Sequence, residues 1–451
     1  MNGHVPKPSC AKSPESPQPG TPSAVDFNLI DRARTLFEAA FPAAELPATW
    51  SHGNRTFSIQ DYLGFMLLGL YVPTCDSLRG LCRASELEEF KRRYRCFAMD
   101  LASVSKAQAH VPEEMLLPII AQLSGETRAQ ARQAARQAGD ADPRPPCPAA
   151  AQLGKFALRV VDSSVFAALP RMTWALFGAG KARKDGRKTA SVRFHVSFDP
   201  IDLCPLACAV TSAAVDEKKK WRDIRAEKSP AQDGGDPDGG DPIVEIGDRN
   251  FGSNHKTLHD LTEEGVNFVV RIKQATYLEI LEEIAVGEEE KAVGIQRHAW
   301  VRMGKSKKNR GHHRVRIIWL ERPDKVILLA TNLAVEDAEA LVVAEMYRQR
   351  WQIELFFWWL KKIVKAGHWL AQSEKGVRIQ LYLVMILALL LQLQTGRRPT
   401  KRMIELLHFY AQGLVGETEL IAGLKARARE ADLARESSRK RYLANKQAAE
   451  K

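Results

Sequence analysis

The segment YRQRWQIELFFWWLKK, residues 347–362, mixes ionisable side chains with bulky apolar ones. At about 100° per residue of α-helix, Tyr347, Arg350, Glu354 and Lys361 fall within one arc of about 60°. One helix face therefore carries a phenol, a guanidinium, a carboxylate and an ammonium. The remaining faces are mostly apolar, so the pattern predicts a largely buried helix whose polar stripe meets a charged partner.

Two aspartates elsewhere in the chain follow apolar, strand-like runs. Asp162 follows LRVV, and Asp248 follows IVEIG. Catalytic groups gather at strand ends in α/β sheets, so the two carboxylates converge if their strands are neighbours. Together with Glu354 they would repel one another unless divalent cations were bound, and Mg²⁺ and Mn²⁺ prefer such oxygen ligands. Two ions about 3.5 to 4 Å apart can promote attack on a phosphodiester and stabilise its leaving oxygen.

Ordinary structural roles for these residues stay open at this point. A lone aspartate after a strand is commonly a turn residue, and Glu354 has the i, i+4 spacing of a helix salt bridge with Arg350. In a phosphodiester site, Arg350 would instead hold a phosphate through two hydrogen bonds, Lys361 would supply a point charge and Tyr347 a hydrogen bond. The combination of two strand-end aspartates with this helix favours the phosphodiester site.

The composition favours an anionic partner. The 451 residues include 66 Lys and Arg against 54 Asp and Glu, a net charge of +12, which is typical of binding to nucleic acid or to a membrane surface and favours nucleic acid. The basic segments 181–193 and 301–316 are predicted to follow a DNA backbone. Seven cysteines without a CxxC pair indicate a reducing compartment and argue against a disulfide framework or a zinc ribbon. The longest apolar run, residues 381–391, is too short to span a bilayer and predicts a buried helix, so no membrane partner is expected.

Hydrophobic periodicity predicts helices at both ends of the chain and strands between them. The fold class expected is α/β, a mixed sheet flanked by helices. The predicted organisation is a disordered tail (1–26), a helical N-terminal DNA-binding domain (27–125), a linker (126–152), the first part of the core (153–273), a β-rich insertion (274–333), the C-terminal helices of the core (334–395) and a basic helical region (396–451).

The spacing of the polar stripe resembles a known signature. Tyr347, Arg350, Glu354 and Lys361 are separated by two, three and six residues, which is similar to the Y-R-E-K signature of prokaryotic insertion-sequence DDE transposases of the insertion-sequence-four type. The runs VVDSSVF and GDRNF resemble the family's two aspartate strands, so the resemblance covers about 156–395. It implies a ribonuclease-H-like core interrupted by a β-rich insertion, and Mg²⁺-dependent excision and insertion of a DNA element, with Mn²⁺ able to substitute.

The resemblance also implies residue roles and partners. The partners of this chain would be the double-stranded DNA of the terminal inverted repeats and of the target. A homodimer would bind this DNA in the synaptic complex, in the bacterial cytoplasm at the nucleoid. Carried onto this chain, the metal-binding catalytic triad would be Asp162, Asp248 and Glu354, and the DNA-phosphate contacts would be Tyr347, Arg350 and Lys361.

Four tryptophans bear on how DNA would be held. Some family members flip a base onto a tryptophan of the insertion, and Trp300 and Trp319 are the candidates here. Trp351 and Trp358 lie near the polar stripe, where packing into the core is favoured over stacking on a base.

The main rival function is a non-catalytic DNA-binding protein, such as a decayed or repurposed transposase that acts as a repressor. A nuclease with the same core and no strand transfer is more distant. The presence of all three acids and all four signature residues argues against the repressor.

Two histidines have a metal-like spacing. His255 and His259 lie four residues apart on a predicted helix, but HKTLH lacks the glutamate of an HExxH protease. The sequence offers no evident third ligand, so surface histidines are favoured.

Overall fold

A computed structural model describes most of the chain from residue 29 to residue 449. The described residues are 29–42, 45–50, 56–72, 75, 77–138, 149–176, 190–215, 220–221, 223–224, 241–253, 255–304 and 313–449. The predictions for the N-terminal tail, for residues 181–189 of the first basic segment and for residues 305–312 of the second lie outside them.

The described strands form one nine-stranded mixed sheet in the order β3-β2-β1-β4-β5-β9-β8-β7-β6. Strands β1, β4 and β5 are parallel to one another, and every other neighbouring pair is antiparallel. The strand-like segments predicted between 274 and 333 form β7, β8 and β9, and an unpredicted strand, β6, precedes them; together they continue the sheet from the edge of β5. The bounds are β1 Ala157–Ala167, β2 Ser191–Asp199, β3 Cys204–Ser212, β4 Ile243–Gly247, β5 Asn267–Ile272, β6 Leu278–Ile284, β7 Ile295–Met303, β8 Val315–Arg322 and β9 Lys325–Thr331.

Helices cover both faces of this sheet, which confirms the mixed α/β class. The described helices are α1 Leu29–Ala40, α2 Ile59–Tyr71, α3 Leu78–Ala84, α4 Glu88–Tyr94, α5 Leu101–Ala107, α6 Leu116–Ala138, α7 Ala150–Leu153, α8 His255–Glu263, α9 Glu288–Ala292, α10 Ala340–Gln349, α11 Trp351–Lys362, α12 Glu374–Thr395, α13 Lys401–Gln412 and α14 Glu417–Ala449.

Side chains alternate between two apolar clusters along the strands because successive residues point to opposite faces. On β1, Val160 packs into the larger cluster, which includes residues of α1, α2, α6, α10, α11 and α12. Val161 packs into the smaller one, together with Leu258 and Leu261 of α8. We call the face of the larger cluster the helical face and the opposite one the α8 face.

Helix α12 lies at the centre of the larger cluster. By length and hydropathy it is long and apolar enough to cross a membrane, but 89% of its most apolar stretch is buried inside the molecule. The run at 381–391 is therefore a buried helix, as predicted. The helix itself has 22 residues, so its burial, and not a short length, identifies it as a core helix.

Two helical regions show how the chain is divided near the N-terminal domain. The helical segment LRGLCRASELEEFKRRY forms two helices, α3 and α4, since Ser85 caps the end of the first and Leu87 precedes the second. Helix α6 begins at Leu116 and continues into the region predicted as a linker, as far as Ala138. It packs there against the helical face beside α12 and β3.

Candidate active site

The register of two parallel strands brings the two aspartates to neighbouring positions. Asp248 directly follows β4, as predicted, but Asp162 lies in the middle of β1, which continues to Ala167, so its predicted place at a strand end was wrong. Strand β1 pairs with β4 so that Val160 lies opposite Ile246. Extending this register by two residues sets Asp162 beside Asp248, on strands that lie about 4.8 Å apart in a typical sheet. Val160 and Ile246 both belong to the larger cluster, so both aspartates face the helices α10 and α11.

Asp248 shapes the turn that follows β4. Its Oδ1 accepts hydrogen bonds from the backbone N–H groups of Asn250, at 2.7 Å, and Phe251, at 3.3 Å. The turn also depends on Gly252, because a Cβ there would lie 2.0 Å from the carbonyl oxygen of Arg271. The turn role is thus real, but it engages one carboxylate oxygen. Among the residues that the structure describes, none donates to the other.

The polar stripe lies across a break between two helices and not on one continuous helix. Arg350 separates α10 from α11, although its φ of −52° and ψ of −32° remain right-handed helical. The backbone tightens there to i, i−3 hydrogen bonds, from Arg350 N to Tyr347 O and from Ile353 N to Arg350 O. A single tightened turn of this kind redirects the helix without unwinding it.

Arg350 joins two of the three acids. Its Nη1 lies 3.6 Å from Asp162 Oδ2, and its Nη2 pairs with Glu354 Oε1. The side chains are 16%, 17% and 36% exposed for Arg350, Asp162 and Glu354, so the network is largely shielded. Burial opposes the charged form, but Tyr347, Glu354 and Asp162 together raise the pKa of Arg350. The i, i+4 salt bridge considered from sequence is present, and the same guanidinium reaches the first aspartate.

Tyr347 connects this network to the second aspartate. Its ring lies 5.7 Å from the Arg350 guanidinium. Burial raises the pKa of Tyr347, and the charge of Asp248 adds to that rise, while Arg350 and Arg271 oppose it. The phenol therefore stays protonated near neutral pH and remains a hydrogen-bond donor.

Arg271 is a site residue that the sequence reasoning missed. It lies on β5 two residues after Val269, which packs into the larger cluster. Strand alternation therefore directs it to the helical face, and its charge acts on Tyr347. The signal was available in VNFVVRIK, where Arg271 places a cation between the apolar residues Val270 and Ile272.

Lys361 lies two helical turns from Glu354 and contacts the far part of β1. Its Nζ donates to the carbonyl oxygen of Val165 at 2.8 Å and lies 4.8 Å from the ring centroid of Phe166. Burial and the neighbouring Lys362 lower the pKa of Lys361. Arg350 and Lys361 thus contact successive positions in the middle and second half of β1, at Asp162 and Val165.

Trp351 and Trp358 are solvent-exposed, so the preference for core packing was wrong. Each is 56% exposed, and Leu355 between them is 40% exposed. Positions 351, 355 and 358 share one helix face. This face of α11, which we call the tryptophan face, is apolar and open beside Glu354.

The two insertion tryptophans lie on opposite faces of the sheet. Trp300 is flanked by Ala299 and Val301, which pack into the cluster on the α8 face, so Trp300 itself points to the helical face. The Arg314 guanidinium covers its ring at 4.5 Å. Trp319 packs against the smaller cluster, on the side away from the carboxylates.

The donor chemistry of the three acids fits a divalent cation. Asp162 Oδ2 and Glu354 Oε1 already converge on the cation of Arg350, and Asp248 is aligned with Asp162 by strand register. Carboxylate oxygens are the ligands that Mg²⁺ and Mn²⁺ prefer. A bound ion would take over the charge compensation that Arg350 now supplies and release its guanidinium for another anion.

Comparison with known proteins identifies the class. Residues 155–391 match the family described as transposase DDE domain, which is more than half of the 451-residue chain. The chain therefore belongs to the DDE transposase family, and the insertion-sequence-four type is compatible with this assignment.

The similar proteins include transposases of bacterial elements. The chain is 27% identical over 243 residues to "Putative transposase y4zB" of Sinorhizobium fredii, which covers 53% of this chain and 61% of that protein. It is 24% identical over 342 residues to "Probable transposase for insertion sequence element IS5377" of Geobacillus stearothermophilus, covering 75% and 77%. A piggyBac transposase in a synaptic complex with hairpin DNA aligns over 90% of this chain and 84% of its own, with 9% identity and a TM-score of 0.35, too low to support an argument.

Proposed function

We propose that this chain cleaves DNA and joins strands at the terminal inverted repeats of an insertion sequence, in a reaction that depends on Mg²⁺ and tolerates Mn²⁺. The observation that carries the proposal is the pairing of Arg350 with two acids from distant parts of the chain, Asp162 and Glu354. The β1–β4 register, extended by two residues beyond the pair Val160 and Ile246, sets Asp248 opposite Asp162. Membership of the DDE transposase family supports the same chemistry.

In this proposal Asp162, Asp248 and Glu354 are the metal ligands and the catalytic triad. Two bound divalent cations would supply the charge that activates water or a 3′-OH and stabilises the leaving oxygen. The strand order β3-β2-β1-β4-β5, with β1, β4 and β5 parallel, supports the ribonuclease-H-like core that the resemblance implies. Strands β6 to β9 precede the third acid in the chain, as an insertion would.

The residues around the acids would hold the DNA phosphates. Released from the carboxylates, the Arg350 guanidinium can grip a phosphate through two hydrogen bonds. Tyr347 can donate a hydrogen bond, since its phenol stays protonated. Lys361 adds a positive charge farther along β1. The three side chains follow one another along α10 and α11, which suits a DNA strand passing the acids.

The tryptophan face supplies a surface for unpaired bases. Trp351 and Trp358 expose apolar rings on the helix that carries Glu354. Base stacking on aromatic rings tolerates any sequence, which suits a strand end held for cleavage. In the proposed synaptic complex, two copies of the chain would each hold one transposon end in the bacterial cytoplasm.

A cleavage and strand-transfer assay tests the proposed function. The substrate is DNA carrying the inverted repeats that flank the coding sequence, and the full chain is compared in Mg²⁺ and in EDTA. We expect metal-dependent cutting at the repeat ends and joined products. Glu354→Gln keeps the shape and removes the charge of the third acid, so cleavage should fall on the order of 10³-fold or more, while repeat binding is retained.

Glu339→Gln is the matched control. Glu339 is exposed at the start of α10 and makes no side-chain capping hydrogen bond there, so its variant should cut like the wild type. Tight repeat binding without cutting in either metal would replace this proposal with a non-catalytic DNA-binding regulator. Cutting without joined products would reduce it to a nuclease.

A further inference from the structure

A second group of potential metal ligands lies on the α8 face of the sheet, outside the three acids. His259 and Glu263 come from α8, one helical turn apart, and His313 precedes β8 by two residues. One ligand atom from each of the three lies within 4.8 Å of the others. His313 Nε2 contacts Glu263 Oε1 directly, and the rings of His259 and His313 stack with centroids 4.7 Å apart.

The donor set differs in kind from that of the three acids. Two imidazole nitrogens and one carboxylate oxygen suit Zn²⁺ and similar transition metals, whereas Mg²⁺ prefers oxygen alone. Three protein ligands would leave a fourth position of a tetrahedral ion open. The Glu263 and His313 side chains are 58% and 35% exposed, so an ion has access from solvent.

The position of this group gives a bound ion a structural consequence. Helix α8 begins shortly after the Asp248 turn. His313 lies at the base of the hairpin formed by β7 and β8, where Val301 pairs with Val315. The basic segment 301–316 spans this hairpin. An ion bound by both elements would therefore fix the hairpin base against the helix that follows the second aspartate.

We propose that His259, Glu263 and His313 form a binding site for a zinc-class divalent metal ion that fastens the base of the β7–β8 hairpin to α8. The site is separate from the three acids in location and in metal preference. Its sequence signal is only partial, because HKTLH and the distant His313 become neighbours through the fold.

Zinc binding to the full-length chain, stripped of metal, is the test. Isothermal titration calorimetry with Zn²⁺ alone should show a site of one equivalent that persists in an Asp162→Asn, Asp248→Asn, Glu354→Gln variant. His313→Gln removes one ligand, and we expect it to lower the zinc affinity of this site by at least about 100-fold. Loss of a residue that only supports a metal ligand lowers affinity by up to about that factor. Co²⁺ in place of zinc should give the visible absorption of a tetrahedral site in wild type and lose it in His313→Gln.

His110→Gln serves as the control for losing an exposed histidine elsewhere, and it should bind zinc like the wild type. Zinc should also raise the unfolding temperature of the wild type and of His110→Gln, but not of His313→Gln. The proposal is overturned if the wild type binds no stoichiometric zinc. It is equally overturned if His313→Gln and Glu263→Gln both bind zinc with unchanged affinity.

Discussion

Two arginines on the helical side of the sheet, Arg350 and Arg316, have contrasting partners. Arg350 is 16% exposed and pairs with carboxylates of Asp162 and Glu354. Arg316 is fully buried and donates to uncharged acceptors, namely His298 Nε2 at 3.0 Å and three backbone carbonyls between residues 333 and 338. Burial lowers the pKa of Arg316 to about 10.

The difference separates a cation that can exchange partners from one that cannot. The carbonyls around Arg316 belong to the turn that leads into α10, so this arginine fixes where the site helices begin. Of these carbonyls, that of Ala334 also accepts from the backbone N–H of Ala338, so loss of the guanidinium would chiefly affect the carbonyls of Leu333 and Ala338 and the His298 ring. The carboxylates around Arg350 can accept metal ions instead, which makes its ion pairs replaceable.

The sharpest test of this contrast is a matched pair of substitutions, Arg316→Met and Arg350→Met. Arg316→Met should lower the free energy of unfolding by about 3 to 4 kcal/mol, because it leaves several buried acceptors without a donor. Arg350→Met should change it by less than about 1 kcal/mol and reduce cleavage at least about tenfold. Urea unfolding and single-turnover cleavage measure the two effects, and the contrast fails if the two variants lose stability equally.

The next largest effect is a pH dependence of the free energy of unfolding, which arises from His298, the side-chain partner of Arg316. Burial, with Arg316 adding to it, lowers the pKa of His298 to about 4, and its Nε2 accepts from Arg316 Nε as a neutral ring. The unfolded chain binds a proton at this histidine below about pH 6.5, and the native chain does so only near pH 4. The free energy of unfolding should therefore fall as the pH drops from 6.5 to 4, by at most about 3 kcal/mol.

His298→Gln keeps an acceptor for Arg316 and removes the titration. Burial also lowers the pKa of His195 and of His408 to about 4. Both histidines therefore make the free energy of unfolding fall with decreasing pH, in the wild type and in His298→Gln alike. Urea unfolding at several pH values should give a shallower slope for His298→Gln than for the wild type. Identical slopes would show that His298 is not held neutral.

The smallest predicted effect extends the contrast to neighbouring tryptophans of α11. Trp358 is 56% exposed, whereas Trp359 is buried and donates from Nε1 to the carbonyl oxygen of Pro399 at 2.8 Å. Trp358→Ala should weaken binding to a pre-cut repeat end by about 1 kcal/mol, the lower end for one stacked base, with little change in stability. Trp359→Ala should destabilise the fold instead. Unchanged DNA affinity in Trp358→Ala would remove the tryptophan face from the proposed contacts.

Much of the site is visible in the sequence because its signals are local. An apolar run followed by aspartate located Asp162 and Asp248, although β1 continues beyond Asp162 to Ala167. Helical spacing related Glu354 to Arg350. Whether the two aspartates meet depends on β1 pairing with β4 across some eighty residues, which local periodicity cannot reveal. The break at Arg350 was also missed, because its backbone angles stay helical and only the hydrogen bonds change.

For the fold as well, the sequence predicted local elements but not the long-range pairing between them. Eight of the nine described strands carry apolar runs bounded by turn residues, so their existence followed from sequence. Strand β6, LEILEEI, was missed because its three glutamates and exposed positions give no strand pattern. That β6 to β9 extend the same sheet depends on β9 pairing with β5, a long-range choice. Trp351 and Trp358 are exposed, although hydrophobicity alone predicts that such large side chains are mostly buried.

Diffraction from crystals soaked in Mn²⁺, recorded near the manganese absorption edge, tests the central claim most directly. The account predicts an anomalous peak within about 2.0 to 2.3 Å of oxygens from Asp162, Asp248 and Glu354, with the Arg350 guanidinium displaced from both of its carboxylate partners. An intact Arg350 bridge and no anomalous peak among the three acids, at Mn²⁺ concentrations that saturate cleavage, would contradict it.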